Sequence, residues 1–201
     1  MPPAVVKTVR DLIFWQYSKI IAASFIGVML PFIFASFAIR AVGKAAFQMV
    51  EEVRRQFREI PGLREGNALP NYSMAVDIST KAALRLMVAP VLIAVVTPIV
   101  VGILFGWAAV GALVMGATIS SIPLAIMMMW AGAAMDNAKK YVEGGKLGGK
   151  FTSTHAATVV GDTIGDPLKD TAGPSLHILI KLLNTLSIVF IPLFLVVLIV
   201  F

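Results

Sequence analysis

Four apolar runs, each long enough to cross a bilayer, constrain this chain more than any other feature of it. A helix needs roughly 20 consecutive apolar residues to span a hydrocarbon core, and residues 20–39 supply them without a charge. A second run covers about 86–107 and a third about 108–135. The fourth, 171–201 within a span of 162–201, is interrupted only by Lys181, with Pro192 as a break before the apolar tail. Backbone polar groups in lipid have to bond within their own segment, which selects helices. The pattern predicts an all-α, polytopic transmembrane helix bundle with four spans. Composition agrees, with 58% hydrophobic and 14% charged residues and a mean hydropathy of +0.88, where a soluble domain is about a quarter charged. The absence of cysteine removes disulfides, thiolate metal sites and cysteine nucleophiles.

Charge placement orients the spans. Arg40, Lys44, Arg54, Arg55, Arg58, Arg64, Lys81 and Arg85 lie between the first and second, and Lys139, Lys140, Lys146, Lys150 and Lys169 lie around the third connection. The turn near Phe105–Gly111 carries no charge. Cytoplasmic loops carry the excess of Lys and Arg, so loops 40–85 and 136–161 are expected in the cytoplasm and both chain ends outside. This topology accounts for the net charge of +6 and leaves a nucleic-acid partner without support. Lys7, Arg10 and Lys19 then fall on the outer side, which marks residues 1–19 as an atypical N-terminal segment. The first apolar run exceeds the 7–15 residues of a signal-peptide core.

Residues 40–60 read as a helix continuing out of the first span. Val42, Ala45, Ala46, Met49, Val50 and Val53 form an apolar stripe, and Glu51–Arg55 and Arg55–Glu59 are spaced for i,i+4 pairs. Pro61-Gly62 ends it.

The chemistry concentrates at one membrane side. Leaving the third span, the chain reads Asp136, Asn137, Ala138, Lys139, Lys140; entering the fourth it reads GDTIGDPLKDTAGPSLHILIKL over 161–182. On a continuous helix Asp162, Asp166 and Asp170 drift through only about 80°, so they share a face, with Lys169 beside them. Lys181 follows Asp170 by eleven residues, about three turns and roughly 16 Å deeper. Stacked carboxylates need cations, and oxygen ligands of this kind suit Mg²⁺ with substrate phosphates. The neighbouring lysines offer point charges to the same phosphate oxygens. Gly161, Gly165 and Gly173 allow close backbone approach, while Pro167 and Pro174 would strip donors from the carbonyls of Thr163 and Asp170. His155 and His177 lack a second ligand at metal spacing and read as polar-contact residues.

GKAAFQMVEEVRRQFREIPG (43–62), VDISTKAALR (76–85), DNAKKYVEGGKLGGK (136–150) and VVGDTIGDPLKDTAGPSL followed by His177 and ILIKL (159–182) resemble the C-terminal part of the membrane-bound, ion-pumping inorganic pyrophosphatases. That family has sixteen transmembrane helices, so the resemblance implies that this chain corresponds to the last four. It implies pyrophosphate as substrate, Mg²⁺ as cofactor with K⁺ as an option, surrounding membrane lipid, the remaining helices as partners and a homodimer in the complete form. Carried over by motif, Asp136, Asp162 and Asp166 resemble metal carboxylates, and Lys139, Lys169 and Lys140 resemble substrate-binding lysines. Asp170 resembles a carboxylate that positions the attacking water, and Lys181 resembles the gate lysine of the ion path. The family's Gly-Gly-Ala-Trp is here Gly132-Ala133-Ala134-Met135, its Lys after His155 is Ala156 and a usual Asn is His177. The function implied is pyrophosphate hydrolysis coupled to H⁺ or Na⁺ translocation, with this chain supplying part of the site. The competing reading is a non-catalytic remnant or one half of a split enzyme; a generic channel would explain Lys181 but not the acidic triplet among lysines.

Overall fold

The computed structural model describes residues 3–200. The first two residues of the 1–19 segment, the last residue of the fourth span and the side chains of Lys7 and Arg10 lie outside the described residues. The chain runs through α1 (Pro3–Glu59), α2 (Tyr72–Phe105), α3 (Trp107–Glu143), α4 (Ser153–Asp166), a π-helical segment (Pro167–Ala172), α5 (Gly173–Val189) and α6 (Ile191–Val200). Four helical stretches are long and apolar enough to cross a membrane: Asp11–Glu59, Tyr72–Phe105, Trp107–Glu143 and Ser153–Val189. Each begins ahead of its apolar run, and the first and third also continue past it, whereas the second ends at Phe105 and the fourth at Val189, short of the expected ends. At 1.5 Å per residue, the 37 residues of α3 extend about 55 Å, well beyond a core of ~30 Å. Gly106, at φ 88°, is the entire break between α2 and α3, and α5 gives way to α6 at Phe190, just before Pro192.

α3 lies at the centre and packs against α1, α4 and α5. The core joins Ala23, Leu30 and Phe34 of α1 to Leu113 and Leu124 of α3, with Leu176, Leu179 and Leu183 of α5 and Phe194 of α6. Most other large apolar side chains, among them Phe25, Val88, Leu104, Ile119 and Trp130, face outward. So much exposed apolar surface would drive association in water; in a bilayer it is the lipid-facing or helix-facing surface of a membrane protein.

Two crossings depend on missing side chains. A Cβ on Gly27 would stand 2.0 Å from the carbonyl oxygen of Leu113, and one on Gly116 would stand 2.4 Å from that of Ser24. These glycines bring the α1 and α3 backbones together, the packing mode that membrane helices use where no hydrophobic effect separates lipid from protein. The second crossing, between α3 and the fourth rod, builds the site below.

The helix through residues 40–59 forms as expected, but its pairing and buried face differ from expectation. Arg55 pairs with Glu52 at 2.8 Å and also with Glu59, while Glu51 takes Arg54 at 3.1 Å in place of Arg55. Val50 and Val53 of the apolar stripe are exposed, and the buried residues of this stretch are Glu52 and Gln56. The reason is a polar clamp. Gln56 donates to the Asn71 carbonyl at 3.1 Å and accepts from the Asn71 N–H at 2.8 Å, while also donating to Glu52 at 2.8 Å. Asn71 in turn caps α2 by accepting from the Met74 N–H. Beyond the apolar run, hydrogen bonds from Arg55 and Gln56 hold the Glu52 carboxyl well down, at about 2.

Candidate functional site

At the end of the third apolar run, Gly132 of α3 crosses Gly165 of α4. A Cβ on Gly132 would meet the Gly165 carbonyl oxygen at 2.4 Å and the Lys169 Cβ at 2.6 Å. That contact lets Asp136, Lys139 and Lys140, one to two turns further along α3, meet the carboxylates of the fourth rod. Gly165 and Gly173 serve the close approach that the sequence suggested, with Gly173 against Met129, whereas Gly161 makes only ordinary contact with Met135.

The rod is not a continuous α-helix here. Pro167 opens the π segment, where its ring would otherwise collide with the carbonyl four residues back. The Gly173 N–H then bonds the Leu168 carbonyl, five residues away. Ser175 donates its hydroxyl to the Thr171 carbonyl, supplying a donor beside Pro174, which has none. Widened turns of this kind recur at functional sites, and this one carries Lys169 and Asp170.

The charged side chains form a lattice centred on Lys169, with a Lys139–Asp162 pair beside it. Lys169 reaches Asp136 at 3.1 Å, Asp166 at 3.1 Å and Asp170 at 3.6 Å. Lys140 meets Asp136 at 2.8 Å, and Lys139 pairs with Asp162. Hydrogen bonds from Lys140 and Lys169 hold the Asp136 carboxyl below its usual range. The three aspartates of the fourth rod differ in setting. Asp162 is buried, whereas the Asp166 and Asp170 side chains are 50% and 64% exposed. Burial leaves the Asp162 Oδ1 without a hydrogen-bond partner, and a buried bare carboxylate oxygen is costly unless something else meets it.

Seven of the eight site residues expected from the sequence therefore gather in one place. Lys181 is outside the lattice, exposed on α5. Sequence reasoning missed the role of Gly132, which stood out only as the retained first glycine of the Gly132–Met135 string, and the contact of His155 Nε2 with Glu143 at 3.2 Å. The latter ties the start of α4 to the end of α3, in keeping with a polar-contact role for His155.

The donor set fits a hard cation by chemistry, being oxygen-only with one buried oxygen unmatched. Among the described residues no three acidic or histidine side chains converge on one point; ammonium groups stand between the carboxylates instead.

Fold and site together define a polytopic membrane protein with a carboxylate–ammonium site at the end of its spans. The chain belongs to the family described as inorganic H⁺ pyrophosphatase, whose pattern matches residues 7–190. It is 57% identical over 176 residues to a K(+)-insensitive pyrophosphate-energized proton pump of Caldanaerobacter subterraneus subsp. tengcongensis, covering 88% of this chain and 25% of that protein. It is 55% identical over 168 residues to a putative K(+)-stimulated pyrophosphate-energized sodium pump of Clostridium tetani, covering 84% of this chain and 25% of the relative. A K(+)-stimulated pyrophosphate-energized sodium pump of Thermotoga maritima is 45% identical over 195 residues, covering 96% of this chain and 26% of its own length. The chain thus spans about a quarter of the length of the curated relatives it matches.

Proposed function

We propose that this chain forms one wall of the pyrophosphate site in an ion-translocating membrane pyrophosphatase, the loops 40–85 and 136–161 facing the cytoplasm. The observation that carries the reading is the lattice in which Lys169 meets three carboxylates while Asp162 keeps a buried oxygen unmatched. Such an arrangement suits a polyanion that arrives with cations for the carboxylates, because lysines released from those carboxylates can bond phosphate oxygens through charge-assisted hydrogen bonds.

Lys139, Lys140 and Lys169 bind the phosphates in this scheme, and Asp136, Asp162 and Asp166 would hold Mg²⁺. When bound, Mg²⁺ supplies charge neutralisation at the phosphoryl oxygens. Asp170 aligns a water and accepts its proton on a carboxylate oxygen as the water oxygen attacks phosphorus. The bridging P–O bond breaks and two phosphates result. Lys181, deeper along the same rod, serves the ion path, where an intramembrane charge is costly and therefore functional. The relatives include both proton and sodium pumps, K⁺-stimulated and K⁺-insensitive, so the pumped ion and any K⁺ requirement belong to features outside this reading.

The test is a chimera: a complete relative whose corresponding segment is replaced by residues 20–190. Mg²⁺-dependent phosphate release and ion uptake in sealed vesicles are expected to persist. An inert but well-folded chimera would remove the assignment.

A further inference from the structure

A cleft of about 870 Å³ opens between the outer part of α1 and the start of α2, away from the carboxylate lattice. Its lining changes character with height. The far end holds Arg55 and Arg58 with Glu51, Glu52 and Glu59, where the acids are answered by arginines: Glu52 and Glu59 by Arg55, and Glu51 by Arg54. The membrane end holds Lys44, Lys81 and Arg85 with a single carboxylate, Asp77, which Lys81 takes at 2.7 Å. No hydrogen bond or ion pair engages Lys44 or Arg85 among the described residues. Both are exposed.

Position along the helices sets the depth of these cations. Lys44 follows the last residue of the first apolar run by five positions, and Lys81 precedes the second run by five, so each stands about 7.5 Å beyond the hydrocarbon edge. Arg85 stands directly at that edge. The polar layer of a bilayer is about 5–7 Å thick on each side, so Arg85 at its inner edge and Lys44 and Lys81 at its outer margin bracket phosphate depth, while Asp77, nine residues before the second run, stands about 13 Å out, beyond the layer. Phe47, Ile78 and Ala82 add apolar lining to it, and Phe47 is 76% exposed. A floor of cations with apolar walls matches an amphiphile with an anionic head better than it matches a free anion. The Gln56–Asn71 clamp fixes the far end of the two helices and so keeps the cleft preformed.

We propose that this cleft seats the headgroup of an anionic phospholipid of the cytoplasmic leaflet, its phosphate between Lys44 and Arg85 and its acyl chains running down beside α1 and α2. The site is separate from the pyrophosphate wall and does not depend on that assignment.

The test titrates the purified, delipidated chain with dioleoyl-phosphatidylglycerol and dioleoyl-phosphatidylcholine by native mass spectrometry. Wild type should prefer the anionic lipid by roughly tenfold or more, since a Lys or Arg near an anionic surface contributes on the order of one decade per one to two charges. Lys44→Gln/Arg85→Gln should lose that preference, while the charge-matched Arg54→Gln/Arg64→Gln, outside the membrane end, should keep it. Equal loss in both pairs would overturn the site in favour of diffuse surface charge. Displacement of the lipid by millimolar inorganic phosphate would overturn the lipid assignment and mark a simple anion site. Should the cleft variant misfold, wild type labelled with a headgroup-photoreactive phosphatidylglycerol decides the matter. Adducts within 44–59 and 77–85 support the site, and adducts concentrated in the lysine-bearing loop 139–150 refute it.

Discussion

Asp162, Asp166 and Asp170 recur every four residues, and that spacing anticipated the meeting of Asp166 and Asp170 with Lys169 but not the pairing of Asp162 with Lys139. What spacing alone could not reveal is that they are unequal. Asp162 is buried because α3 lies over it and Lys139, 23 residues earlier in the chain, answers it; no local pattern encodes a partner that distant. The exposed Asp170 and the exposed Lys181 have different expected failures in a complete enzyme carrying this segment. In the proposed mechanism Asp170→Asn keeps the side chain's size but removes the proton-accepting carboxylate, so phosphate release should fall by about a hundredfold or more while Mg-pyrophosphate protection against heat persists. Lys181 makes no contact with the lattice, so Lys181→Ala should depress ion uptake in sealed vesicles more than phosphate release. A loss of pyrophosphate affinity in Lys181→Ala as severe as in Lys169→Ala would move Lys181 into the substrate cage.

At the scale of the helices, apolar run length anticipated four helices long and apolar enough to cross a membrane, while ion pairs and caps continue several of them past the apolar residues. Pro167 and Pro174 signalled a disturbance, but a π segment is one of several ways to relieve two prolines, and the choice rests on tertiary contacts around Gly173. The crossing glycines were half legible: Gly165 and Gly173 stood out beside the carboxylates, whereas Gly27, Gly116 and Gly132 sit in ordinary apolar sequence. Their contacts make a clean comparison. Gly132→Val would drive a side chain into the Gly165 carbonyl and the Lys169 stem, and overpacking of this kind costs about 1–3 kcal/mol or more. Gly111 lies in the same helix with nothing within 4 Å of a Cβ, so Gly111→Ala should be neutral or gain up to about 1 kcal/mol from helix propensity. Thermal unfolding of the purified variants, followed by circular dichroism, should show a lowered midpoint for the first and none for the second. Equal midpoints would mean that the crossing is not tight.

For the whole molecule, the proposed orientation rests on the side where charge accumulates. Single cysteines introduced into this cysteine-free chain at Gly66 and Gly148, both in connections between helices, should react with impermeant thiol reagents from the cytoplasmic side only. One at Gly106, the α2–α3 break, should react only from outside. The reverse pattern would overturn the proposed topology.

Charge also bears on what the chain does by itself. The wall offers Lys139, Lys140 and Lys169 against Asp136, Asp162, Asp166 and Asp170, three cations facing four anions, so it carries one net negative charge. A pyrophosphate with several negative charges is repelled by such a surface until metal ions and further cations stand on its other side. In the proposed mechanism, in-line attack also requires the leaving phosphate to be held opposite the attacking water. The aligned relatives have about three quarters of their length outside the matched region, as 25% and 26% of those proteins are covered, and the opposite wall is expected there. The chain purified alone is therefore expected to release no phosphate from Mg-pyrophosphate above background, and co-expression with the remaining segment of a relative should restore release. Turnover by the isolated chain that disappears in Asp170→Asn, and so does not come from a contaminating soluble enzyme, would show that these helices complete the site by themselves.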